Sequence, residues 1–209
     1  MTQVVDVEIY ADIICPWCYI GKKRLDAAFA ERPQIVPRYI WRCFLLNPSM
    51  PPEGMNRRDY ITGKFGNTAN EVYSRIAAAG QESGIKFNFD QIKRTPDSRK
   101  THRYLLAAAD IGKDLSDAFF KAYFIDGRDL GDEQELEKIA REHDVDVSTT
   151  ILGSLELDRQ IKNDIEMSRQ MRVDGVPYII FAGKYAIAGA HMPEHIIPVI
   201  DGSVSKSVG

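Results

Sequence analysis

The stretch Asp12-Ile13-Ile14-Cys15-Pro16-Trp17-Cys18-Tyr19-Ile20-Gly21 decides how this chain is read. It follows Val4–Tyr10, where Val5, Val7 and Ile9 share one face, as alternate residues of a strand do. After it Cys18, Gly21, Leu25, Ala28 and Phe29 recur at helical spacing until Pro33. A cysteine pair with two residues between therefore stands where a strand hands over to a helix. Gly21 costs that helix about 1 kcal/mol relative to alanine, so a close approach of the helix to the sheet is expected there. Ile35–Leu46, interrupted only by Pro37, is rich in β-branched and aromatic residues and reads as a second strand. The chain opens β-α-β.

That position gives the cysteines their chemistry. A sulfur at a helix N-terminus faces unpaired backbone N–H groups and the positive end of the helix dipole, which favour thiolate over thiol. The thiolate attacks disulfides, and a second cysteine one helical turn inward can resolve the mixed disulfide. Cys15 is thus the expected nucleophile and Cys18 its partner. Pro16 has no N–H to leave unsatisfied in the first turn, and Trp17 covers the pair with an apolar surface without adding charge. The competing reading is half of a zinc site, with Cys43 and one of His102, His143, His191 or His195 completing it. Cys43 sits deep in an apolar strand and reads more simply as a buried small side chain. His191 and His195 lie four apart without partnering ligands, so no metal is expected there.

Outward from this opening, Asn47–Gly54 is a connector rich in proline. Helical patterns then run to about Val173. Thr68 and Glu71 fit a capping box ahead of Val72 and Ile76, with Gly84 as the stop. Ser98 opens a run ended by Gly112, Leu115 to Tyr123 forms another, and Asp132 caps a fourth. Ser148 starts a long stretch reaching Met171. The aromatic residues of this region (Tyr73, Tyr104, Phe119, Phe120, Tyr123 and Phe124) are expected mainly in the core, the lesser reading being that some line an apolar substrate groove. Strands return at Pro177–Phe181 and Tyr185–Ala188, joined by a short turn at Ala182-Gly183-Lys184. Pro193 suits the first turn of a last helix, which Pro198 should shorten or kink. No repeat is present.

Gly175-Val176-Pro177 is a second candidate element. A proline at the start of a buried strand cannot donate to the sheet. It is either a strand-start proline or a cis proline presenting the Val176 backbone to an extended substrate near the cysteines. Asp12, three residues before Cys15, is either a solvated loop carboxylate or a proton relay to Cys18. His102 either packs within its helix or faces a substrate cleft.

The chain has 209 residues, 44% hydrophobic and 27% charged, which excludes disorder and low complexity. A net charge of −3 gives no overall basic field for nucleic acid or anionic lipid. No apolar run approaches the roughly 18 residues of a membrane helix, and no signal-like segment is seen near Met1. Three cysteines exclude a disulfide-stapled scaffold. A cytoplasmic protein is expected, with no nucleic-acid or membrane partner.

The order of elements, CPWC opening a helix and GVP leading into a hairpin and last helix, resembles the thioredoxin-fold disulfide oxidoreductases of the DsbA family. Asp12–Gly21, Asn47-Pro48, Pro52–Met55, Phe87-Asn88-Phe89, Arg94-Thr95-Pro96, Thr101-His102-Arg103 and Tyr123-Phe124 with Gly127–Asp129 resemble its cytosolic FrnE-like branch. Asp97 stands where that branch often has Asn. The resemblance implies an α/β thioredoxin fold (βαβ…ββα) with a large all-helical insertion. Residues 1–47 and 173–202 would form the thioredoxin-like part, 48–172 the insertion, and 203–209 a disordered tail. It implies an enzyme, a dithiol–disulfide oxidoreductase or isomerase, with Cys15 as nucleophile, Cys18 as resolving thiol and Pro177 as cis proline. Pro16, Trp17, Val176 and His102 are the expected substrate contacts. The partner is a thiol- or disulfide-containing protein or small molecule, with no metal or organic cofactor and glutathione as candidate co-substrate. Two rival readings are a glutathione-dependent isomerase or kappa-class-like transferase, which places serine at the position of Cys15, and a non-catalytic zinc-stabilised binding module.

Overall fold

The computed structural model describes residues 2–147 and 149–204. The strand β1 (Gln3–Ala11) runs into a short turn and then α1 (Pro16–Ala30), and β2 (Ile35–Cys43) returns beside β1 in parallel. Next come β3 (Met55–Asn56), α2 (Arg57–Phe65), α3 (Ala69–Glu82), β4 (Arg94–Thr95), α4 (Arg99–Asp110), α5 (Ser116–Phe124) and α6 (Glu133–Glu142). After them follow α7 (Thr149–Leu152), α8 (Leu155–Gln170), the hairpin β5 (Tyr178–Phe181) and β6 (Tyr185–Ala188), and α9 (Pro193–Val204). The main sheet has the order β2-β1-β5-β6, with β5 antiparallel to β1, and β3 pairs with β4 as a separate ribbon. This is the α/β arrangement expected of a thioredoxin fold.

The pleat explains why β1 lies inside the sheet. Val5, Val7, Ile9 and Ala11 are buried on one face. On the other, Asp6 and Glu8 pair with Arg38 and Arg42 of β2. Pro37, which cannot donate to a ladder, is tolerated because β2 is an edge strand. Beyond Arg42, the Asp164 carboxylate of α8 accepts the Cys43 N–H at 3.0 Å, fixing that end of β2. The core is continuous across sheet and helices, and Phe119, Phe120, Tyr123 and Phe124 are wholly buried in it.

Several local expectations change. The region between the two halves of the sheet is not purely helical, because β3 and β4 pair there; two-residue strands are too short to show alternation. Helix α2 carries few apolar residues and a glycine, so its stripe is too thin to register. Thr68 is no cap: its hydroxyl donates to the Phe65 carbonyl, and a 3-10 turn over Gly66–Thr68 leads into α3 instead. The long run to Met171 breaks after Leu152, and Ser154 caps α8 by accepting the Leu157 N–H; the Ser148 start lies outside the described residues. Pro198 does not shorten the last helix, which continues through Ser203 to Val204, so the tail cannot begin at 203.

Gly21 shows the expected close approach, but its neighbour is the loop before β5. A Cβ added there would lie 2.6 Å from Pro177 Cγ and 3.6 Å from Ala190 Cβ. Gly21→Val should destabilise the fold by about 2 kcal/mol, in the usual range for overpacking. An unchanged denaturation midpoint would refute that reading.

Candidate functional site

Cys15 is the N-cap of α1, with an extended backbone and no side-chain cap, and Pro16 occupies the first helical position. The Cys18 N–H bonds the Cys15 carbonyl at 3.1 Å, so the second cysteine sits one turn inward. Both are free thiols and both are buried. Across from them the Val176–Pro177 peptide bond is cis. The Cys15 thiol donates to the Val176 carbonyl at 3.7 Å, which brings the GVP segment against the pair. Trp17 remains 38% exposed beside them. The structure thus gathers Cys15, Pro16, Trp17, Cys18, Val176 and Pro177 at one end of the sheet.

Asp12 is not a solvated loop carboxylate. It is wholly buried, and accepts the Ile14 N–H at 3.2 Å and the Leu46 N–H at 2.8 Å. Its carbonyl accepts the Cys15 N–H at 3.0 Å. Burial raises its carboxyl pKa to about 6, against the steadying influence of Leu46 and Ser98. Burial also pushes the Cys18 thiol well up, and the adjoining Cys15 sulfur adds to this. Cys43 is wholly enclosed and its thiol is likewise pushed up by burial.

His102 does not face a cleft. It is wholly buried, its Nδ1 is 3.1 Å from the Trp41 indole nitrogen, and its Nε2 is 3.2 Å from the Phe44 carbonyl. An indole N–H can only donate, so Nδ1 must be the acceptor and Nε2 carries the hydrogen given to Phe44. A proton on Nδ1 would confront the indole N–H. Burial lowers the His102 pKa to about 4, so its 3.8 Å approach to Asp12 is not an ion pair at neutral pH. The substrate-contact role expected of His102 is therefore withdrawn; it is a packing and hydrogen-bonding residue beneath the site. Among the described residues no three His, Cys, Asp or Glu side chains gather as metal ligands.

Residues that the motifs do not point to complete the surroundings. Ser98 leaves α4 uncapped and lies close enough to Asp12 to steady its charge; Asp97 serves the helix instead, accepting the Arg99 N–H at 3.2 Å. Helix α2 is anchored by Arg57, a buried guanidinium donating to Thr95, Tyr123 and Tyr73 and enclosed by three tyrosine rings. This places Tyr60 toward the cysteines: its phenol pKa is raised by burial first, and by the proximity of Asp12 and Cys15. No sequence signal marks Arg57 or Tyr60, because their roles depend on where Thr95, Tyr73 and Tyr123 lie in space.

Strand, cysteine-capped helix, inserted helices and cis-proline hairpin together define a thioredoxin-type domain. Residues 6–197 match the DSBA-like thioredoxin domain family, and the chain belongs to that family. In structure it is similar to a probable DsbA oxidoreductase from Streptomyces coelicolor, at 24% identity and a TM-score of 0.85, covering 98% of this chain and 93% of that one. It is also similar to the cytosolic disulfide reductase DsbM from Pseudomonas aeruginosa with GSH, at 15% identity and 0.60, covering 95% and 98%. A 2-hydroxychromene-2-carboxylate isomerase aligns at 15% identity and 0.60 over 94% and 93%. These likenesses show a shared fold. No helix among the described residues is long and apolar enough to cross a membrane.

Proposed function

We propose that this protein is a dithiol–disulfide oxidoreductase acting through Cys15 and Cys18. The observation that carries the reading is Cys15 at the open end of α1, 3.7 Å from the Val176 carbonyl, with Cys18 one turn inward over buried Asp12. In the reducing direction, the Cys15 sulfur bonds one sulfur of a substrate disulfide, and the other substrate sulfur departs and takes up a proton. Cys18 then bonds Cys15, the second substrate sulfur leaves, and it too is protonated. The cysteine pair loses two electrons and the substrate gains them; a second dithiol reverses the steps to reset the pair. The Val176 backbone, Pro16 and Trp17 would hold the substrate chain around the mixed disulfide.

Asp12 is the proton acceptor for Cys18 in this scheme. A carboxyl held near pH 6 can take a proton from a buried thiol and return it, and its position behind the pair suits that task. Glutathione, present with DsbM, is the candidate co-substrate, and a reducing cytosol the candidate compartment. The second thiol separates this reading from the glutathione-dependent isomerases, and the engagement of His102 by Trp41 and Phe44 disfavours the zinc module. A redox titration in glutathione buffers, followed by mass after alkylation, tests the proposal. Loss of two alkylation sites together at Cys15 and Cys18 is expected. Oxidation involving Cys43, or none of the pair, would overturn it.

A further inference from the structure

A cleft of about 320 Å³ opens beside the site, between Leu46 and Asn47 on one side and Asp59, Tyr60, Gly63 and Lys64 of α2 on the other. Its position relative to Cys15 is fixed through Asp12, which holds the Leu46 N–H by its carboxylate and the Cys15 N–H by its carbonyl. The Lys64 ammonium donates to the Tyr60 hydroxyl at 3.3 Å and lies over the Tyr60 ring. No ion pair to Lys64 occurs among the described residues. Asp59 also borders the cleft, but five residues along a helix set it about 140° from Lys64 around the axis. A cation held in no ion pair and a phenol thus border the cleft, with Asp59 the one carboxylate in its lining and the buried Asp12 close enough to feel the Lys64 charge.

We propose that this cleft is a subsite for the carboxylate end of a small, net-anionic thiol or disulfide, bound by Lys64 Nζ and the Tyr60 hydroxyl while its sulfur reaches Cys15. The inference rests on the redox reading above and adds the residues that select an anionic co-substrate over a neutral one. In the step concerned, Cys15 bonds one sulfur of the incoming disulfide, the original S–S bond breaks, and the departing thiolate takes the proton that Cys15 released. An ammonium–carboxylate contact is charge-assisted and weakens with salt when exposed.

The test measures mixed-disulfide formation at Cys15 in a Cys18→Ser background, using glutathione disulfide as anionic probe and 2-hydroxyethyl disulfide as neutral probe. The readout is the ratio of the two rates. Lys64→Glu should lower this ratio by about tenfold, the usual worth of a charge-assisted bond, and Lys64→Arg should largely preserve it. Gly63→Leu supplies a variant that tests the space itself: an added Cβ meets no atom within 4 Å, so the side chain can fill the cleft without disturbing the helix. It should slow the glutathione disulfide reaction more than the neutral one. A ratio unchanged in Lys64→Glu and Gly63→Leu overturns the subsite and leaves the redox reading intact. Failure of both probes to label Cys15 in the Cys18→Ser protein with Lys64 and Gly63 unchanged overturns the redox reading, and the subsite with it.

Discussion

Cys15→Ser is expected to abolish disulfide reduction, lowering the rate by roughly a thousandfold or more, as loss of a nucleophile does. Serine fits the N-cap of α1 at least as well as cysteine, so the fold should persist and the loss should be chemical. Cys18→Ser should behave differently. Cys15 still attacks, but the mixed disulfide has no neighbouring thiol to release it and should accumulate to one adduct per chain by intact mass. Cys43 lies wholly enclosed in β2 with a thiol pushed up by burial, so no adduct is expected there. Full exchange in Cys15→Ser, or an adduct mapped to Cys43, would remove the basis of the mechanism.

The second large effect concerns stability against pH. Burial moves Asp12 from 3.8 to about 6 and His102 from 6.5 to about 4. With a raised folded-state pKa, the Asp12 contribution to stability is fully present below about pH 4 and is lost as pH rises through about 6. With a lowered one, the His102 contribution is present above about pH 6.5 and is lost as pH falls through about 4. At about 1.4 kcal/mol per pH unit, each is worth roughly 3 kcal/mol. The two run against each other in the same window and largely cancel. Asp12→Asn removes one of them, so relative to the parent its stability should fall by about 3 kcal/mol between pH 7 and pH 4. His102→Gln keeps an acceptor for Trp41 and a donor for Phe44, and should show the opposite slope. Urea denaturation across that range decides the matter: an Asp12→Asn profile parallel to the parent's contradicts the assignment.

The strand, the cysteine-capped helix and the returning hairpin were legible because each rests on local spacing. CPWC after an alternating run and GVP before another are visible without three-dimensional knowledge. Asp12 and His102 were not, because burial is a property of what packs around a residue. Asp12 is enclosed by Leu46 and Ser98 from distant parts of the chain, and the role of His102 follows from Trp41, sixty-one positions earlier. The same holds for α2: Arg57 is intelligible only once Thr95, Tyr73 and Tyr123 surround it, and Lys64 only once the cleft beside it exists.

The Trp41–His102 hydrogen bond also gives the molecule an optical voice. The chain has two tryptophans, one half open to water beside the cysteines and the other enclosed behind Asp12. Their emission should differ in colour, the first red-shifted by solvent and the second blue, so the surface over the cysteines and the packing around His102 can be watched separately without attaching a dye.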